Sequence, residues 1–126
     1  MSFANERQAI ESRLTDTWTA TSISYDNVPF DQPNDAAWIR LNIINGTSNY
    51  RAINSKKRHV GVIIIQCFAP INTGTSLLRG YADDLIAIFE DQIFNGIVCR
   101  VGSIATATPS DTMYQINVKI PYWRDD

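Results

Sequence analysis

Residues 60–68, Val-Gly-Val-Ile-Ile-Ile-Gln-Cys-Phe, constrain this chain more than any other stretch. β-Branched residues dominate and resist the helix. The run is also far short of the ~20 apolar residues a membrane helix needs. It therefore predicts a central β-strand, covered on both faces and stopped by Pro70. A chain of 126 residues is long enough to bury such a strand without a disulfide or metal. No linker, repeat or low-complexity segment divides it, so residues 1–126 read as a single domain.

The rest of the chain arranges itself around that strand. Phe3, Ile10, Leu14 and Trp18 form one apolar stripe at helical spacing, with Ser2 placed to cap the helix. Ile23-Ser24-Tyr25 predicts a short strand, followed by a loop holding Pro29 and Pro33. In residues 37–44, Trp38, Arg40 and Asn42 alternate with Ile39, Leu41 and Ile43, the pattern of a strand. Asn45-Gly46 signals a turn, and the polar stretch to His59 predicts a loose loop or a protruding hairpin arm. Leu78, Tyr81, Ala82, Leu85, Ile88 and Phe89 mark a second helix, capped by Thr73 or Thr75. Gly80 inside it suggests close approach to the sheet. Asn95-Gly96 makes a turn, and residues 97–108 and 112–123 predict two strands joined through Pro109-Ser110-Asp111. The tail from Pro121 to Asp126 reads as exposed aromatic and charged groups. The order α-β-β-β-α-β-β implies an α+β domain: a mixed, mostly antiparallel sheet with two main helices packed on it.

Charge is segregated along the chain. Residues 1–35 hold Arg7 and Arg13 against six acids. Residues 36–82 hold Arg40, Arg51, Lys56, Lys57, Arg58 and Arg79 with no acid at all. Asp83, Asp84, Glu90 and Asp91 then follow without a base. Separated charge of this kind favours head-to-tail association of copies, although folding can also remix it.

Chemistry is sparse. His59 is the one histidine, in a basic stretch where a solvated side chain is expected. Cys67 and Cys99 sit among apolar neighbours and read as buried, inert thiols rather than a nucleophile paired with His59. Two cysteines and one histidine offer no ordinary zinc spacing. No phosphate loop, dinucleotide fingerprint or serine elbow is present. Adjacent helical carboxylates such as Asp83-Asp84 point about 100° apart and do not converge. The chain does not read as an enzyme, and no cofactor, metal, catalytic residue or membrane contact is expected. The basic cluster Lys56-Lys57-Arg58 with Tyr50 and Arg51 is the one nucleic-acid candidate. A pI of 5.2 weighs against it, as does the lack of aromatic rings at Gln115, Asn117 and Lys119.

Taken together, several segments carry a resemblance. They are the first helix, Tyr25-Asp26-Asn27-Val28-Pro29-Phe30 with Pro33, and Trp38-Ile39-Arg40. Then come a basic loop before Gly61, the strand end Gln66-Cys67-Phe68-Ala69-Pro70, and Gly74 opening the second helix. Tyr114-Gln115-Ile116-Asn117-Val118 and Pro121-Tyr122-Trp123-Arg124-Asp125 complete the set. This order resembles the tail terminator, or tail completion, proteins of lambda-like siphophages, and a phage domain of unknown function. The resemblance implies an α+β subunit that closes into a ring with copies of itself, typically a hexamer. Such a ring caps the finished tail tube, stops its growth and presents the surface that joins the head. Its partners are the major tail tube protein and the head–tail connector protein, with passive contact to DNA in the lumen. The location implied is the virion tail or neck, and the host cytoplasm during assembly. A head–tail connector or neck ring is the close alternative, and a small nucleic-acid-binding module the more distant one. Two sets of interface residues are expected. Arg51, Lys56, Lys57 and Arg58 face an acidic surface, either the first segment or the Asp83-Asp84 helix of a neighbouring subunit, or the tail tube or connector; alternatively they line the lumen. Tyr122, Trp123 and Arg124 in the tail either anchor an interface or cover the end of the core.

Overall fold

The computed structural model describes residues 2–26, 28–33, 35–50, 56–71, 75–106 and 113–126. Helix α1 (Phe3–Thr17) and helix α2 (Thr75–Phe89) pack on one sheet of seven strands. These are β1 (Ser22–Tyr25), β2 (Trp38–Tyr50), β3 (Lys57–Pro70), β4 (Ile93–Phe94), β5 (Ile97–Cys99), β6 (Ser103–Thr106) and β7 (Met113–Asp125). The order across the sheet is β1-β2-β3-β7-β5-β4, with β6 also paired to β7. Only β1–β2 is parallel; every other pair is antiparallel. The α+β class and the mixed sheet are as expected.

Ser2 caps α1 by accepting the Asn5 N–H on its hydroxyl at 3.1 Å. Ile10, Leu14 and Trp18 turn inward as the stripe requires. Phe3 does not: it is half exposed and leaves the core for a polar cluster described below. In α2, Leu78, Ala82, Leu85 and Phe89 are buried, with Tyr81 and Ile88 partly so. Trp18 meets Tyr81 edge-on at 5.3 Å. Arg13 ties the two helices together. Its Nε donates to the carbonyl of Ile88 at 2.8 Å, in the last turn of α2, where a cation also suits the helix dipole.

The central strand is β3, flanked by β2 and β7 over nearly its whole length. Its neighbours are antiparallel and the helices cover one side only. Ile63, Ile65 and Cys67 are therefore fully buried, while Val62, Ile64 and Phe68 on the other side are half-buried. This corrects the expectation of cover on both faces. Across the sheet Ile39, Cys67 and Ile116 form one inward rung and Leu41, Ile65 and Val118 the next.

Three local expectations change. Asn45-Gly46 is no turn: β2 runs straight through it with a shift of register before Ser48, so the glycine marks a bulge. The single strand expected over residues 97–108 is two strands, β5 and β6, laid along different stretches of β7. The tail expected to be exposed from Pro121 is part of β7, which continues to Asp125 and buries Tyr122 and Arg124. Asn95-Gly96 does turn. Both residues have positive φ (48° and 80°) and join β4 to β5 as a two-residue hairpin loop. Gly74, Thr73 and the Pro109-Ser110-Asp111 connection lie outside the described residues.

Gly61 and Tyr122 face each other across β3 and β7. The Tyr122 ring lies flat over the glycine, and a Cβ there would come within 2.5 Å of its hydroxyl oxygen. Gly80 is the opposite case: it is exposed, nothing lies within 4 Å of a Cβ built on it, and it does not approach the sheet. Gly61→Ala should therefore lower stability by about 1–3 kcal/mol by forcing the ring aside. Gly80→Ala should raise it by up to ~1 kcal/mol through helix propensity. Urea unfolding of the two variants beside the wild type checks both signs.

Candidate functional site

The polar residues of this protein converge at one end of the sheet, where the β2–β3 hairpin leaves the body. Glu6 on α1 and Arg124 on β7 are both almost completely buried there. The Arg124 Nε donates to Glu6 Oε1 at 2.7 Å, and Asn45 donates its side-chain amide to Glu6 Oε2 at 3.1 Å. Phe3 closes the pair from above, with the Arg124 guanidinium 4.7 Å from its ring centre. Burial, and after it the negative charge of Glu6, pushes the Tyr122 hydroxyl well above its usual pKa.

His59 lies beside this pair, buried in β3 rather than solvated in a loop. Its Nδ1 bonds the Ser48 hydroxyl at 2.6 Å, and its Nε2 bonds Asp126 Oδ2 at 2.9 Å. The other oxygen of Asp126 accepts from Arg124 at 2.7 Å. Burial opposes ionisation of Asp126. The His59 hydrogen bond and the Arg124 charge outweigh that and hold its carboxyl below the ordinary value. Serine, histidine and aspartate in a row suggest a hydrolytic relay, but the wiring is that of a brace. The carboxylate is tied up by a guanidinium, and it faces Nε2 while the serine takes Nδ1, the reverse of a serine triad. Its effect is mechanical: it joins the base of the hairpin to the end of β7. Cys67 is eight residues along the same strand from His59, about 26 Å away at strand rise, so the two form no thiol site. Burial lifts the Cys67 thiol to about 12 and the Cys99 thiol to about 11, which keeps both unreactive.

The expected interface residues divide. Arg51 lies outside the described residues. Lys56 and Lys57 are exposed at the start of the returning strand, so the arm is a hairpin rather than a loose loop. Arg58 is not free: it holds Asp125 through two hydrogen bonds, at 2.9 and 3.2 Å, and stacks 3.8 Å above the Trp123 ring. Asp83 and Asp84 are exposed on α2. Tyr122 is core, and Trp123 is half-buried on the opposite side of the sheet. Glu6, Asn45 and Ser48 escaped the sequence reading. The one available signal was a glutamate three residues before the buried Ala9 and four before Ile10.

Net charge differs between the layers. The strands carry Arg40, Lys57, Arg58, Lys119 and Arg124 against the carboxylate of Asp125. The helices carry Glu6, Glu11, Asp16, Asp83 and Asp84 against Arg7, Arg13 and Arg79, and the exposed acids Asp26, Asp31, Asp35, Asp91 and Asp126 lie outside both. Among the described residues no group of His, Cys, Asp or Glu is placed to hold a metal, and no helix is long and apolar enough to cross a membrane.

Removing one member of the buried pair strands the other. Arg124→Ala or Glu6→Ala should each cost about 3–5 kcal/mol in urea unfolding, while Glu6→Leu with Arg124→Met together should cost much less. The Asp126 carboxyl is depressed in the folded state, so its contribution is present above the ordinary value of 3.8 and fades as pH falls through the folded value. The Tm gap between wild type and Asp126→Asn should therefore be open at neutral pH and close in acid.

The comparisons with known proteins agree with this architecture. A family model described as "Phage tail terminator protein" matches residues 7–122. Among solved structures, one chain 23% identical in sequence superposes with a TM-score of 0.76, over 98% of this chain and 96% of its own. At that identity the likeness is one of fold. No curated protein matches. With a family match over nearly its whole length, the chain belongs to the phage tail terminator family and has a structural role in assembly of the virion tail.

Proposed function

We propose that this protein closes into a ring with copies of itself, typically six, caps the tail tube to end its growth, and presents the surface that joins the head. The observation that carries this reading is the tail terminator match across residues 7–122. The architecture suits it. The strands carry a net positive and the helices a small net negative charge, and unlike faces favour a heterologous contact, which can generate rings. In the hairpin of β2 and β3, residues 44–50 are exposed throughout and Lys56 and Lys57 are exposed at its return. We assign this arm to an acidic surface on the tube or the connector. The site then works by contact alone. Lys56 and Lys57 supply the free charge, while the Arg58–Asp125 pair and the Ser48–His59–Asp126 brace hold the arm's base rigid.

Light scattering with negative-stain microscopy, with and without purified tail tubes, tests the ring. Annuli of roughly six subunits are expected; a monomer under every condition, tubes included, would refute it. Lys56→Glu with Lys57→Glu should leave annuli intact but weaken tube or connector binding about a hundredfold, since facing like charges costs several kcal/mol. Binding unchanged by that reversal removes the arm from the partner contact. If only DNA retention by the rings suffers, the arm faces the lumen.

A further inference from the structure

On the side of the sheet away from the helices, Val62, Ile64 and Trp123 are half-buried and Ile44 and Val60 exposed among the described residues. At one end Trp38 is sealed by Phe30 and by Phe68, stacked 4.2 Å away. At the other end Ile44, Val60, Val62, Pro121 and Trp123 line a groove of about 290 Å3. Ile44 is 53% exposed and Val60 37%, large apolar side chains left open on this face. Two exposed cations flank this groove: Arg100, which also lines it, and Lys119, two residues before Pro121 on β7. Neither has an ion-pair partner among the described residues.

The opposite layer carries a matching surface. On α2 the residues Leu77, Gly80, Asp84 and Ala87 recur at spacings of three, four and three, so they share one stripe of the helix. All four are exposed. Leu77 is a large apolar side chain 37% exposed, Gly80 leaves the middle of the stripe flat, and Asp84 with adjacent Asp83 supplies negative charge. Among the described residues nothing packs on Gly80.

We propose that the α2 stripe of one copy seats in the sheet groove of the next, Leu77 entering the apolar groove and Asp83 and Asp84 facing Arg100 and Lys119. This rests on the ring reading above and names its contact. The occupant is a second copy because the complement is on the same chain. The sheet face offers cations around an apolar groove, and the helix face offers carboxylates beside an apolar side chain. A phosphate backbone would use the cations and leave the groove exposed. The two surfaces lie on opposite layers, so the contact is head-to-tail and can propagate around a ring. Gly80 then has a role: a bare backbone there lets the helix approach the strands closely.

The test uses three proteins, each first shown to fold by circular dichroism and urea unfolding. Gly80→Gln should be at least as stable as wild type yet fail to form annuli. Arg100→Glu with Lys119→Glu, and separately Asp83→Lys with Asp84→Lys, should each weaken self-association about a hundredfold. Mixing those two reversed proteins should restore annuli, because each reversed face meets a reversed partner. Annuli from all three variants alone at wild-type yield would overturn the contact and leave the ring reading standing. Variants that stay apart when mixed would also overturn it. A wild-type protein that never forms annuli would overturn the ring reading and this contact together.

Discussion

The buried pair of Glu6 and Arg124 is the interaction around which the polar end of this protein is built. Burying either charge alone is costly, so the pair forms only when the first helix and the last strand are both in place. The two residues are 118 apart in sequence and 2.7 Å apart in space. Asn45, the bulge that follows it and the Ser48–His59–Asp126 brace are all arranged about the same point. Phe3 leaves the apolar stripe to cover it. The position of α1 on the sheet and the stiffness of the hairpin thus share one electrostatic origin.

The second organising fact is a difference in net charge between the layers. Folding remixes part of the charge that is separated along the chain, pairing Arg58 with Asp125 and Arg124 with Glu6. The acid-free segment from residue 36 to 82 supplies two of the long strands, and the next two acids, Asp83 and Asp84, are exposed on α2. A subunit with unlike layers has a direction. The proposed ring uses that direction, one face meeting an unlike face of the next copy.

The apolar pattern made most of the fold legible. The stripes of both helices, the central place of residues 60–68 and the Asn95-Gly96 turn all follow from spacing and local backbone preference. The misreadings share a cause. His59, Arg124 and Glu6 are polar, and a polar residue gives no sign of burial in sequence, because its partner comes from a distant segment. Asn45-Gly46 signalled a turn by local preference, but pairing with β3 carried the strand through. The tail from Pro121 read as exposed because Trp123-Arg124-Asp125 is polar at its end and lacks alternation. Only the facing Val60, His59 and Arg58 show why each position is tolerated. At the candidate site the exposed charges Lys56, Lys57, Asp83 and Asp84 were readable. The groove was not, because it draws residues from β2, β3 and β7 and from Arg100 beyond them.

The place of β7 has a consequence for timing. The last strand in sequence is not added at the rim. It lies between β3 and β5, near the middle of the sheet. During synthesis β3 therefore has one open edge until residues 113–125 have left the ribosome, and neither Gly61 nor Glu6 has its counterpart. Contacts this far apart in sequence form late. Until they do, the growing chain has neither a finished groove nor a fixed hairpin. The Glu6–Arg124 pair and the Gly61–Tyr122 packing are thus deferred until residues 113–125 have emerged.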